Sequence, residues 1–258
     1  MRRIVISAAL VLALLTAAAI AQGELTQKGN LRVTFDGRVL PRVLPRDSAA
    51  PISVRIEGAV GTVDGSRPPA LREISVAVNR AGIVYVAGLP TCSAPELQQT
   101  STEAALKLCR SALVGHGGFA ANVDFPGAPQ IPAHGKVLAF NSSSHGHPQM
   151  LLHLYGSSPV RATFVLPFRI EHRNKGKFGA VFSTRIPNIA SDLGYVTELD
   201  LTLGRKYSYA GRRRSFLSAS CAAPAGFPGA IFQLAKATFR FDDGRHLATG
   251  ITRDCRVR

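Results

Sequence analysis

Apolar residues recur at every second position in one segment of this chain after another, and that period commits it to extended strands with one wet face. Ile52, Val54 and Ile56 alternate with Ser53, Arg55 and Glu57, and Leu199, Leu201 and Leu203 alternate with Glu198, Asp200 and Thr202. Ala235, Ala237, Phe239 and Phe241 alternate with Lys236, Thr238 and Arg240, and Asp242-Asp243-Gly244 then turns the chain into a strand at 246–253. Further strands are expected at 31–35, 74–78, 83–87, 136–140, 151–155, 163–170, 178–184 and 215–221. Turn residues separate them, among them Asp36-Gly37, Asn174-Lys175-Gly176 and Ala210-Gly211.

One segment breaks the period. Thr100 and Glu103 have capping-box spacing, and the residues after them run to a stop at Gly115 with Leu106, Cys109 and Leu113 on one helical face. A single α-helix is expected near 101–114, packed at an edge. Many short strands, frequent turns and one helix predict a mostly β fold, an antiparallel β-sandwich. Residues 22–258 are expected to form one such domain, with an internal boundary near 115–135, where Pro and Gly accumulate.

The first 21 residues read as an export signal. Met1-Arg2-Arg3 is cationic, residues 4–18 are almost unbroken apolar sequence, and Ala19-Ile20-Ala21 offers small residues for cleavage after Ala21. The rest is expected to be secreted or held at the cell envelope, with no later transmembrane segment because charged residues and prolines interrupt every apolar run. Loss of Arg2 and Arg3 lowers the formal charge only from +15 to +13. Outside the cell such a charge favours anionic envelope polymers or lipid headgroups, and nucleic acid is not an expected partner.

An even set of cysteines, Cys92, Cys109, Cys221 and Cys255, predicts disulfides in an oxidising compartment. Pairing Cys92 with Cys109 and Cys221 with Cys255 closes the shortest loops, and the first would stabilise by about 3 kcal/mol on chain-entropy grounds. The absence of C-x-x-C argues against zinc at these thiols.

Catalytic signatures are missing: there is no G-x-S-x-G, no H-E-x-x-H and no pair of carboxylates set apart from wet strand faces. No catalytic residue and no cofactor is assigned. His145-Gly146-His147 is the one close histidine pair, and His153 on the following strand is a candidate third ligand for copper or zinc. A second candidate is the basic-aromatic segment in which Arg212, Arg213 and Arg214 follow Tyr207 and Tyr209, where rings flanked by guanidinium groups suit an anionic glycan or headgroup.

Several stretches have a familiar look: Gly88-Leu89-Pro90-Thr91-Cys92, Thr102 to Leu106 with Cys109 to Gly115, Ala139-Phe140-Asn141, Ser215 to Cys221, Phe239 to Gly244, and Arg253-Asp254-Cys255. Together they resemble a group of exported bacterial proteins of unknown function. The resemblance spans most of the chain from about residue 31, implies one coherent fold and carries no activity or site. The sequence therefore points to an exported, non-catalytic protein that binds anionic envelope material or serves a structural role. A secreted hydrolase of unrecognised type and a metal-binding protein are the alternatives.

Overall fold

The computed structural model of the chain describes residues 24–187 and 194–258. The expected signal segment, 1–21, lies outside the described residues. In chain order the strands are β1 (Glu24–Lys28), β2 (Leu31–Leu40), β3 (Val43–Leu44), β4 (Ala50–Pro51), β5 (Ser53–Thr62), β6 (Leu71–Asn79) and β7 (Gly82–Val84). Two helices, α1 (Ala94–Leu97) and α2 (Thr102–Cys109), precede β8 (Leu113–Val123), β9 (Ile131–Ser144), β10 (His147–Gly156), β11 (Ala162–His172) and β12 (Phe178–Arg185). The remainder is β13 (Gly194–Leu203), β14 (Lys206–Tyr209), β15 (Arg212–Ser215), β16 (Leu217–Ala219), β17 (Gly229–Phe241) and β18 (His246–Val257).

The protein is mostly β, as expected, but its architecture is one large curled sheet and not two separate stacked ones. Thirteen strands run in the order β1-β2-β5-β13-β8-β9-β10-β11-β12-β6-β17-β18-β3, antiparallel throughout except for the last pair. The curl brings its two ends together. Phe35 of β2 packs edge-on against Phe239 of β17, with ring centroids 6.4 Å apart. The Gly250 amide of β18 donates to the Glu24 carboxylate at 3.1 Å, and Arg253 reaches Asp36 and the Gly37 carbonyl of β2.

The strands hold this shape because alternate residues turn inward. Val54 and Ile56 of β5, Leu199, Leu201 and Leu203 of β13, and Met150, Leu152 and Leu154 of β10 share the inner face, while Arg55, Glu57 and Asp200 pair outside. Residues 115–135, where a boundary was expected, contribute β8 and the start of β9, which pair with each other within this sheet.

Two helices form where a single one was expected, and the longer, α2, differs from expectation in three further ways. It is shorter, because 110–112 tighten into a 3-10 turn and Leu113 already enters β8. Its cap is Ser101, which accepts the Ala104 amide, while the Thr100 hydroxyl is taken by the Leu97 carbonyl at 2.7 Å. It also lies on the outer face of central strands, covering Leu138, Phe140 and Leu151, and not at an edge. Asn141 ties the preceding loop to β9, donating to the Leu89 and Pro90 carbonyls while its own carbonyl accepts the Cys92 amide.

Both expected disulfides are formed, Cys92–Cys109 and Cys221–Cys255. They suit an oxidising compartment outside the cytoplasm. No helix among the described residues is long and apolar enough to cross a membrane.

Candidate functional site

The sheet has two unlike poles. At one, a loop joins β5 to β6, and hairpins join β8 to β9, β10 to β11 and β17 to β18. At the other, the small sheet β4-β16-β7, the hairpin β14–β15 and the loop 220–228 close over the barrel-like interior, pressing Leu44, Ile52, Val84, Leu89, Phe216 and Leu217 into its end. The Cys221–Cys255 bond fastens this cap to β18.

Between the cap and the hairpin pole the inner faces do not meet. Val54, Ile56, Ile74, Val76, Val78, Leu166, Leu199 and Phe232 all point inward, yet each stays only half-buried, whereas Leu152, Leu201 and Phe182 on the same faces are buried. Filled cores pack to the density of organic crystals, so apolar surface left uncovered inside a sheet marks a void. The void is a cavity of about 260 Å³ with overwhelmingly apolar walls. Ligand pockets are commonly about 300–1,000 Å³ and mostly apolar, so this one suits a small or slender apolar molecule.

Charged side chains line the cavity chiefly where β2 and the turn after it meet β18. There Arg38, Arg42, Arg253 and Asp254 join Val39 and Pro41 in its wall. No ladder joins β2 to β18, and Arg253 bridges the gap: its Nε–H donates to the Gly37 carbonyl at 2.8 Å and its Nη2 pairs with Asp36. The cavity therefore approaches the outside at a seam closed by a side chain, a weaker closure than a backbone ladder.

The residues singled out by sequence are placed elsewhere. Tyr207 and Tyr209 do share one side of β14, but that side is used for docking the hairpin. The Tyr207 hydroxyl donates to the Ala87 carbonyl at 2.9 Å, and partial burial, reinforced by neighbouring Tyr85, raises the Tyr207 pKa above the usual phenol value. Tyr209 lies against Gly88, where even a methyl group would collide with the ring. Arg214 sits 5.0 Å above the Tyr85 ring, a cation–π contact, with its Nε buried and without a hydrogen-bond partner. Arg212 and Arg213 are exposed, as is the edge of Tyr209, and neither arginine forms an ion pair among the described residues.

The histidines are not gathered either. His145 and His147 are exposed at the β9–β10 hairpin, while His153 is buried beneath the helices. Its Nε2 lies 3.1 Å from the Thr100 carbonyl and 3.0 Å from the Thr100 hydroxyl, and its Nδ1 has no partner. Burial lowers its pKa below the ordinary imidazole value, opposed by the Thr100 hydrogen bond. Among the described residues the one group with ligand-like spacing is Cys92, Glu96 and Cys109, and both of its thiols are spent in a disulfide.

The cavity itself was not anticipated from sequence. Its walls are the same alternating Leu, Ile and Val that would fill a solid core, so local pattern carries no sign of it. No known protein family, curated protein or solved structure matches this chain.

Proposed function

We propose that this protein is an exported, non-catalytic binder of an apolar or amphiphilic molecule, held in the cavity inside the curled sheet and handled at the cell envelope. The observation that carries the reading is the half-buried apolar wall around a space of about 260 Å³. An unfilled apolar void of that size would forfeit on the order of 6 kcal/mol, at about 24 cal/mol per Å³. That rivals the whole stability of many domains, roughly 5–15 kcal/mol, so a fold that keeps such a space has reason to fill it with ligand. Export, through a signal cleaved after Ala21, is supported by the two disulfides. Within the same reading, the exposed Arg212 and Arg213 would serve contact with anionic envelope material.

The test is uptake of an environment-sensitive apolar dye by the purified, oxidised protein, together with mass spectrometry of an organic-solvent extract. Saturable uptake is expected, with displacement by a long-chain fatty acid. Leu166→Trp and Leu199→Trp, which place an indole into the space, should weaken uptake by roughly tenfold or more, equivalent to about 1.4 kcal/mol. Absence of saturable uptake, or uptake indifferent to both substitutions, would remove the cavity from the function.

A further inference from the structure

The capped pole is also where the chain keeps its positive charge. In the described segments that form it, 41–52, 80–92, 145–146, 173–177 and 204–228, eleven Lys and Arg face one acidic residue, Asp47. In the described loop segments of the opposite pole, 29–30, 63–70, 124–130, 157–161 and 242–245, three Arg face four Asp. The basic composition is thus polarised along the axis of the sheet and is not spread evenly over a solvated surface.

The same pole exposes large apolar side chains in one neighbourhood. Ile231 is 78 % exposed, Phe227 61 %, Leu40 57 % and Val43 46 %. Backbone hydrogen bonds place the segments that bear Phe227 and Val43 side by side: the Arg256 amide donates to Arg42, that of Val257 to Pro228, and that of Arg258 to Leu44. Ile231 stands opposite Asp254 on the adjacent strand. Arg46 holds the 223–227 loop in place through the carbonyls of Ala223, Pro224 and Phe227, so the Phe227 ring is presented on a braced turn. Arg42, Arg256 and Arg258 lie around these residues with no ion-pair partner among the described residues, and Asp254 and Asp47 are the acids nearby. The cavity wall reaches the same region through Val39, Pro41, Arg42 and Asp254.

From this arrangement we infer that the capped pole docks on an anionic phospholipid bilayer, with Phe227, Ile231, Val43 and Leu40 entering the interface and the surrounding arginines pairing with headgroup phosphates. Cations near an anionic surface attract it within a Debye length, and apolar side chains gain by leaving water there. A hydrated anionic polymer would use the arginines but give the apolar side chains nothing. The inference goes beyond the cavity reading and does not depend on what fills the cavity.

Co-sedimentation of the oxidised protein with vesicles tests it. Binding is expected to vesicles of phosphatidylcholine mixed with phosphatidylglycerol, not to phosphatidylcholine alone, and to fall as salt is raised. Phe227→Ser combined with Ile231→Ser, which keeps the charge, should weaken binding by roughly tenfold. Arg256→Glu with Arg258→Glu, and separately Arg212→Glu with Arg213→Glu, should weaken it further at low salt. None of these residues lines the cavity, so unchanged dye uptake and melting temperature would certify each fold, and a variant that melts early would be replaced by Ile231→Asn alone. Equal binding to both vesicle types would overturn the inference. So would full retention by the apolar double variant, above all if soluble polyphosphate then displaced the protein completely, the result expected of a polymer-binding surface.

Discussion

Arg253 closes the seam against Gly37: its Nε–H donates to the Gly37 carbonyl at 2.8 Å, and the same guanidinium pairs with Asp36, both partners being largely buried. A hydrogen bond to a charged group contributes about 1.5–3 kcal/mol. Arg253→Leu should therefore lower the stability by about 2 kcal/mol, read from the shift in urea midpoint. Amide exchange should quicken in β1 and β2 and leave β9 and β10 protected, because only the former rely on this side chain to meet the other end of the sheet.

His153 should give the fold a pH dependence. The Thr100 carbonyl can only accept, so the Nε2 of His153 carries the proton, and protonating Nδ1 would put a second N–H into a buried place with no acceptor. Its folded-state pKa is lowered from 6.5, so the unfolded chain takes up the proton first as pH falls. Stability from this group is fully present above the unfolded value and is lost as pH drops through the folded one. Urea midpoints of the parent protein should fall below about pH 6.5, and His153→Gln should flatten that part of the profile. An unchanged slope in the variant would show that another group titrates there.

Removing the bond between Cys221 and Cys255, through Cys221→Ala with Cys255→Ala, should cost about 4 kcal/mol by the loop-entropy relation for a separation of 34 residues. The loss should be felt first in the cap. Limited proteolysis is expected to cut the 220–228 loop well before the sheet melts.

Gly88→Ala should release the hairpin β14–β15. Gly88 has φ +76°, and an added Cβ would come within 2.0 Å of the Tyr209 ring. The strain and the lost contact together should cost about 1–2 kcal/mol, and trypsin should then cleave within 212–214 far faster while the melting temperature moves little.

The strands that could be read from sequence are those with one wet face. β5, β13 and β17 turn alternate apolar residues inward and expose Arg55, Glu198 and Lys236, so their period survives in the residue order. β8 was hidden by its glycines. Val114-Gly115-His116-Gly117-Gly118 looks like the end of a helix, yet a Cβ at Gly117 would come within 1.9 Å of the Asp200 carbonyl oxygen, and glycine is what lets β8 lie so close to β13. β9 and β10 are covered on both faces, by the interior on one side and the helices on the other, so where the strand sits in the sheet decides burial more than period does. The disulfide pairing was legible because loop closure depends on spacing alone. The cavity and the burial of His153 were not, because both depend on how far apart distant strands and helices come to rest.

The bond between Cys221 and Cys255 has a temporal meaning as well as a mechanical one. Cys255 lies on β18, which is held between β17 and β3, and Cys221 lies beyond the cap hairpin. In the folded protein the two sulfurs meet where the final long strand lies beneath the folded-back lid, so a bond formed there would act as a latch on completed assembly. Chains oxidised at Cys92 and Cys109 but still carrying thiols at 221 and 255 would be the trapped precursors of that last event.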